Sequence, residues 1–193
     1  MNKRAKILQW AVVITCALSA CATPRQTQFY TLLQAPPPRL QLDSQSIVMI
    51  GPVTLPAQVD RPQMVISRDA HELRVLEHQR WAAPLKLEIP RLIGERIEAA
   101  LGLRVIIYPE TTPVPPRFKL NLTVQRFEST PGAQVTVAVT WDIKTVAGNR
   151  VESGQRIELE PVVGADYGAL ASAHARALSR IGDGIANSIA AFD

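Results

Sequence analysis

Two cysteines and three histidines are the side chains here best suited to nucleophilic, metal-binding or proton-transfer work. Only one of the five, Cys21, stands in a pattern that asks for chemistry. It closes the run Leu18-Ser19-Ala20-Cys21, behind an apolar stretch at residues 7–17 that follows Lys3, Arg4 and Lys6. A basic start, a short apolar run and small residues before a cleavage point make an export signal. The apolar run falls short of the roughly 20 residues that span a bilayer. The pattern predicts cleavage before Cys21 and acylation of its thiol, so that residue 21 opens the mature chain. Cys16 is the poorer candidate, because Thr15 precedes it where Ala, Gly or Ser is usual.

The remaining polar residues predict no reaction. His71 falls in an expected turn, and His78 sits among Glu77, Gln79 and Arg80. His174 lies on the apolar stripe of an expected helix, where a hydrogen-bonded core histidine is the ordinary outcome. Metal binding wants clustered His, Cys, Asp or Glu at ligand spacing. The histidines are scattered and no thiol is spare, so neither metal nor cofactor is expected. No nucleophile elbow or glycine-rich phosphate loop is present. Asp60 beside Arg61 in a proline-stiffened loop is expected to cap a turn and pair locally. Trp81, close to Pro84, reads as a packing plug. A non-enzymatic protein is expected.

The elements that hold these residues follow from periodicity. Strands are expected at residues 29–33, 46–53, 64–67, 73–76 and 103–108. Three prolines within eleven residues, Pro52, Pro56 and Pro62, make residues 51–63 a stiff loop. Leu85, Ile89, Leu92, Ile93, Ile97, Ala100 and Leu101 recur at helical spacing. Pro84 suits the first turn, and Pro90 predicts a kink or a later start. Phe118, Leu120, Leu122 and Val124 alternate with Lys119, Asn121, Thr123 and Gln125, a strand with one wet face. That face is expected to be solvated or turned to another subunit. Val135, Val137, Val139, Trp141 and Ile143 alternate likewise. A turn at Ala147-Gly148-Asn149 leads to a third strand at 151–159. Asp166 is placed to cap a last helix, whose stripe is Leu170, His174, Ala177, Leu178, Ile181, Ile185, Ile189 and Phe192. The expected fold is α+β, a single domain with a mostly antiparallel sheet and two helices on one face.

Removal of residues 1–20 leaves 173 residues, enough for one domain with its own core. Lys+Arg then falls from 21 to 18 against 17 Asp+Glu, and the formal charge from +4 to +1. The basicity belongs to the leader, so no nucleic-acid partner is expected. With Cys16 removed and Cys21 acylated, no disulfide is possible. The tether at residues 22–27 reaches about 20 Å when extended, which keeps the body close to the membrane.

Taken in order, Tyr30-Thr31-Leu32, Gly51-Pro52-Val53-Thr54-Leu55-Pro56, Asp60-Arg61-Pro62-Gln63 and Arg80-Trp81-Ala82-Ala83-Pro84-Leu85 resemble the PqiC-like family of ABC-type transport auxiliary lipoproteins. The resemblance covers nearly the whole mature chain. Two departures are Ala57-Gln58-Val59, where an aromatic-leucine pair is usual before Asp60, and Ala83, where an acidic residue is usual. The resemblance implies an outer-membrane lipoprotein, since Ala22 rather than Asp follows the cysteine. It implies docking to an inner-membrane-anchored mammalian-cell-entry (MCE) protein in a lipid-transport or membrane-integrity system, and a homo-oligomer, possibly a ring. The candidate partner or subunit contacts are Pro52, Leu55, Pro56, Asp60, Arg61, Pro62, Gln63, Arg80 and Trp81. The alternatives are that these residues brace the fold, and that the protein regulates a cell-wall or envelope-assembly enzyme.

Overall fold

The computed structural model describes residues 26–33, 43–146 and 151–192, with side chains of the second segment taken from residue 46 onward. The export signal, Cys21, most of the tether, Pro36-Pro37-Pro38 and the turn expected at Ala147-Gly148-Asn149 lie outside the described residues. In chain order the elements are β1 (Gln28–Tyr30), β2 (Asp43–Ile50), β3 (Gln63–Ser67), β4 (Leu73–Trp81), α1 (Leu85–Leu101), β5 (Leu103–Ile107), β6 (Phe118–Thr130), β7 (Gln134–Thr145), β8 (Val151–Pro161) and α2 (Tyr167–Ala190).

The α+β architecture with two helices holds, and the strands divide into two sheets. One has the order β1-β4-β3 and the other β5-β2-β6-β7-β8. The long pairings, β6 with β7 and β7 with β8, are antiparallel and form the expected meander. The shorter pairings include parallel ones: β1 with β4, and β2 with both β5 and β6. A parallel neighbour needs a long crossover, and β3, β4 and α1 lie between β2 and β5 in the chain. The run Ile47-Val48-Met49-Ile50 has no polar alternate, the mark of a strand covered on both faces. Ile47, Val48 and Ile50 are fully buried.

The two helices pack on each other, and α2 lies on β7 and β8. Asp166 caps α2 as expected, its carboxylate accepting from the Ala169 N–H at 2.8 Å. The stripe from Leu170 to Ile189 is buried, and Phe192 is half-buried beyond it. Helix α1 starts at Leu85 rather than at Pro90, so the proline sits in the second turn and forgoes one hydrogen bond. Gly102, left-handed at φ 67°, ends that helix, its N–H bonding the Glu98 carbonyl at 2.9 Å.

Strand β8 inverts the usual arrangement of an edge strand. Its charged residues face α2. Arg180 Nη1 lies 2.6 Å from the buried Glu160 Oε1, and Arg176 Nε lies 3.3 Å from Oε2. Ile157 and Leu159 face outward and are more than half exposed. Among the described residues, no helix is long and apolar enough to cross a membrane.

Candidate contact surface

The stiff loop divides into two parts with different surroundings. Residues 51–54 continue alongside β6. The Gly51 N–H donates to Leu120 O at 2.8 Å, Thr54 N–H to Leu122 O at 3.2 Å, and Val124 N–H to Thr54 O at 2.9 Å. The backbone passes so near that a Cβ on Gly51 would stand 2.8 Å from Asn121 Oδ1, which explains glycine there. Val53, Leu55 and Val59 point into the core. Pro52 is exposed and Pro56 half-buried. Of the expected contact residues, Leu55 is therefore a core side chain, and Pro52 and Pro56 flank it on a segment fixed to the sheet.

The second part turns outward. Val59 N–H bonds Pro56 O at 3.0 Å and Arg61 N–H bonds Val59 O at 2.8 Å, which sends Asp60, Arg61 and Pro62 into solvent. The Trp81 N–H donates to Pro62 O at 2.8 Å, tying the end of β4 to this turn. The result is an open cleft of about 390 Å³ that brings together Asp60, Arg61, Pro62, Arg80 and Trp81 with Phe29 and the start of α1. Gln63 does not line it. That residue pairs with Arg80 across the strands and sends Nε2 to 3.5 Å from Glu77 Oε2.

The charges around the cleft are unequal. Asp60 is held by Lys86 at 2.6 Å, a partner on α1 and 26 residues away, where pairing within the loop was expected. The Arg80 Nε donates to Glu77 O at 3.1 Å. Trp81 forms the floor and is 5% exposed, its ring edge-on to Phe127 at 5.9 Å and to His174 at 6.2 Å. The packing-plug reading of Trp81 agrees with this burial.

Behind the floor lies a polar pair that the sequence only half disclosed. His174 is wholly buried, stacked on Phe127 at 3.9 Å, with Nε2 2.8 Å from Ser129 Oγ. Both partners arrive through a β-bulge. The β6–β7 register shifts between Val124 and Arg126, so the buried positions change from even to odd numbers and Phe127 and Ser129 face inward. A serine hydroxyl within reach of an imidazole is the geometry of a nucleophile and its base. Burial pushes the His174 pKa down to about 3, too weak a base to take a hydroxyl proton near neutrality. Nδ1 has no hydrogen-bonding partner to orient the ring. The pair fits the core and lacks the base strength for that chemistry. His71 is exposed in the β3–β4 turn and His78 half-buried on β4. Among the described residues, no three His, Cys, Asp or Glu side chains group as for a metal ion.

Glu88 escaped the sequence reading. It is 2% exposed and accepts from Thr31 Oγ1 at 2.8 Å and from the Leu32 N–H at 2.9 Å. It thereby fixes the chain leaving β1 against α1, beside the cleft. The signal was present: Glu88 falls on the buried stripe between Leu85 and Leu92, where a charge must have partners. Glu88→Ala strands a buried N–H and removes two hydrogen bonds to a carboxylate, an expected loss of about 3 kcal/mol. In thermal unfolding that is a drop of roughly 6–12 °C; a drop under about 2 °C would contradict the role.

Residues 30–186 match the family model for the ABC-type transport auxiliary lipoprotein component. Among solved structures, the crystal structure of an uncharacterized protein has a TM-score of 0.69 at 15% identity, covering 85% of this chain and 99% of its own. A Xanthomonas campestris protein of family DUF330 has a TM-score of 0.65 at 20% identity, covering 83% of this chain and 93% of its own. At these identities the likeness shows a shared fold. None of the curated proteins compared matches the sequence.

Proposed function

Because the chain belongs to the ABC-type transport auxiliary lipoprotein component family, we propose that it is an outer-membrane-anchored subunit of a lipid-transport or membrane-integrity system that works by contact rather than catalysis. The observation that carries this reading is convergence. Asp60, Arg61 and Pro62 come from one stretch and Arg80 and Trp81 from another, and they meet in one outward-facing cleft. The buried polar groups Glu88, Glu160 and His174 are engaged in holding the fold together.

In this reading, acyl chains on Cys21 hold the domain on the periplasmic face of the outer membrane, and an MCE-domain protein anchored in the inner membrane is its partner. The physical case for a partner is size. A domain of this length has a radius of gyration of about 16 Å and a tether of about 20 Å, too little to bridge two membranes. Self-association of the subunit, in a ring or otherwise, has support in the neutral outer face of β8, where Val151, Ile157 and Leu159 are each more than half exposed. Exposed apolar side chains on the outer face of an edge strand offer a second copy a surface to bury.

Cys21→Ser is expected to release the protein from the outer-membrane fraction of cells, as read by sucrose-gradient fractionation. Undiminished retention of the variant would contradict the anchor. A panel of ester substrates offered to the purified protein is expected to show no turnover above background.

A further inference from the structure

We propose that the cleft lined by Phe29, Arg61, Pro62, Arg80 and Trp81 seats the phosphate of an anionic phospholipid in the membrane that holds the anchor. The domain would then stand on the bilayer in one orientation instead of swinging on its tether. The proposal rests on the reading of Cys21 as the lipidated residue, and it assigns a ligand class to the contact surface described above.

Asp60 is neutralised by Lys86. The Arg61 guanidinium is exposed and has no hydrogen bond or ion pair among the described residues, and Arg80 commits only Nε, to a carbonyl. The rim therefore carries unspent positive charge above an apolar floor of proline and tryptophan. Cationic side chains close to an anionic leaflet are drawn to it over about a Debye length.

Phe29, on the rim, is eight residues from Cys21. An extended segment of that length spans at most about 28 Å, so Phe29 stays within that distance of the lipids around its own anchor. Phe29 is 65% exposed. An exposed aromatic ring flanked by arginines is the combination interfacial proteins set at headgroup depth. A protein segment would meet the same charges, but β1 is three residues long and offers little edge for an extended peptide to pair with.

The test uses the full lipidated protein reconstituted in vesicles of phosphatidylcholine alone or of phosphatidylcholine with phosphatidylglycerol, followed by amide hydrogen exchange. On the phosphatidylglycerol vesicles, exchange in residues 60–63 and 80–86 is expected to slow about fivefold per engaged arginine. The slowing should fade as salt is raised, vanish in Arg61→Glu and persist in Arg61→Lys. Equal exchange on the two vesicles overturns the proposal, as does slowing that Arg61→Glu leaves intact. Protection that arises only when a protein partner is added also overturns it. Flotation of the vesicles and the mass of the acylated Cys21 peptide report the anchor separately. Loss of both would show that the anchor reading had failed and would take the proposal with it.

Discussion

Between pH 6.5 and pH 3 the protein is expected to lose about 5 kcal/mol of stability through His174 alone. The unfolded chain binds a proton on this imidazole near pH 6.5. The folded chain resists until about pH 3, because burial disfavours the charged ring. Above pH 6.5 neither state is protonated and His174 contributes no pH dependence. Below it, each pH unit favours the unfolded state by about 1.4 kcal/mol until the folded pKa is reached. The geometry gives the reason. Only Nε2 has a partner, Ser129 Oγ, and Nδ1 has none; the protonated ring carries an N–H on both nitrogens, so protonation would leave one of them unpaired in the core. Urea denaturation of the native protein and of His174→Gln, at a series of pH values, checks this. The variant should lose most of this component of the pH dependence, and identical slopes for the two proteins would contradict the assignment.

Trp81→Ala is expected to cost about 4 kcal/mol, the range for emptying a large aromatic from a core. The ring is packed between the cleft and the Phe127–His174 stack, so its removal opens a void on the line joining surface and core. Trp81→Phe should recover part of the loss, since a smaller ring still covers Phe127. A cost below about 1 kcal/mol in equilibrium unfolding would show that the ring closes nothing.

Much of the fold was legible because it is written locally. The alternation in β6 and β7 and the stripe on α2 each repeat often enough to overdetermine their element. The bulge near Gln125 was not legible, since one extra residue leaves composition untouched while it reverses which parity is buried. Read by alternation alone, Arg126 and Glu128 belong inside. In the structure they face each other on the outer face, Arg126 Nη2 2.7 Å from Glu128 Oε2, and Phe127 and Ser129 take the core. The parallel partners of β2 were hidden for a different reason. A strand covered on both faces shows no pattern that tells a parallel neighbour from an antiparallel one.

The candidate surface was legible in part. Its residues could be picked from the order of short motifs, and five of them proved adjacent in space. Their division into a segment bound to β6 and a turn opening on a cleft depends on hydrogen bonds to residues about seventy positions away, such as Gly51 to Leu120. Spacing along the chain carries no record of those. Glu88 shows the converse: a single acidic residue on an apolar stripe was a sufficient clue, and it marks where β1 is fastened to α1.

Chemical cross-linking in living cells, followed by purification of the intact lipoprotein and identification of what comes with it, tests the proposed docking to an MCE-domain protein. Repeated recovery of an MCE-domain protein with the native chain is expected, and its loss in Cys21→Ser, which lacks the proposed anchor. Repeated recovery of cell-wall or other envelope enzymes alone, with no MCE-domain protein, would contradict that docking.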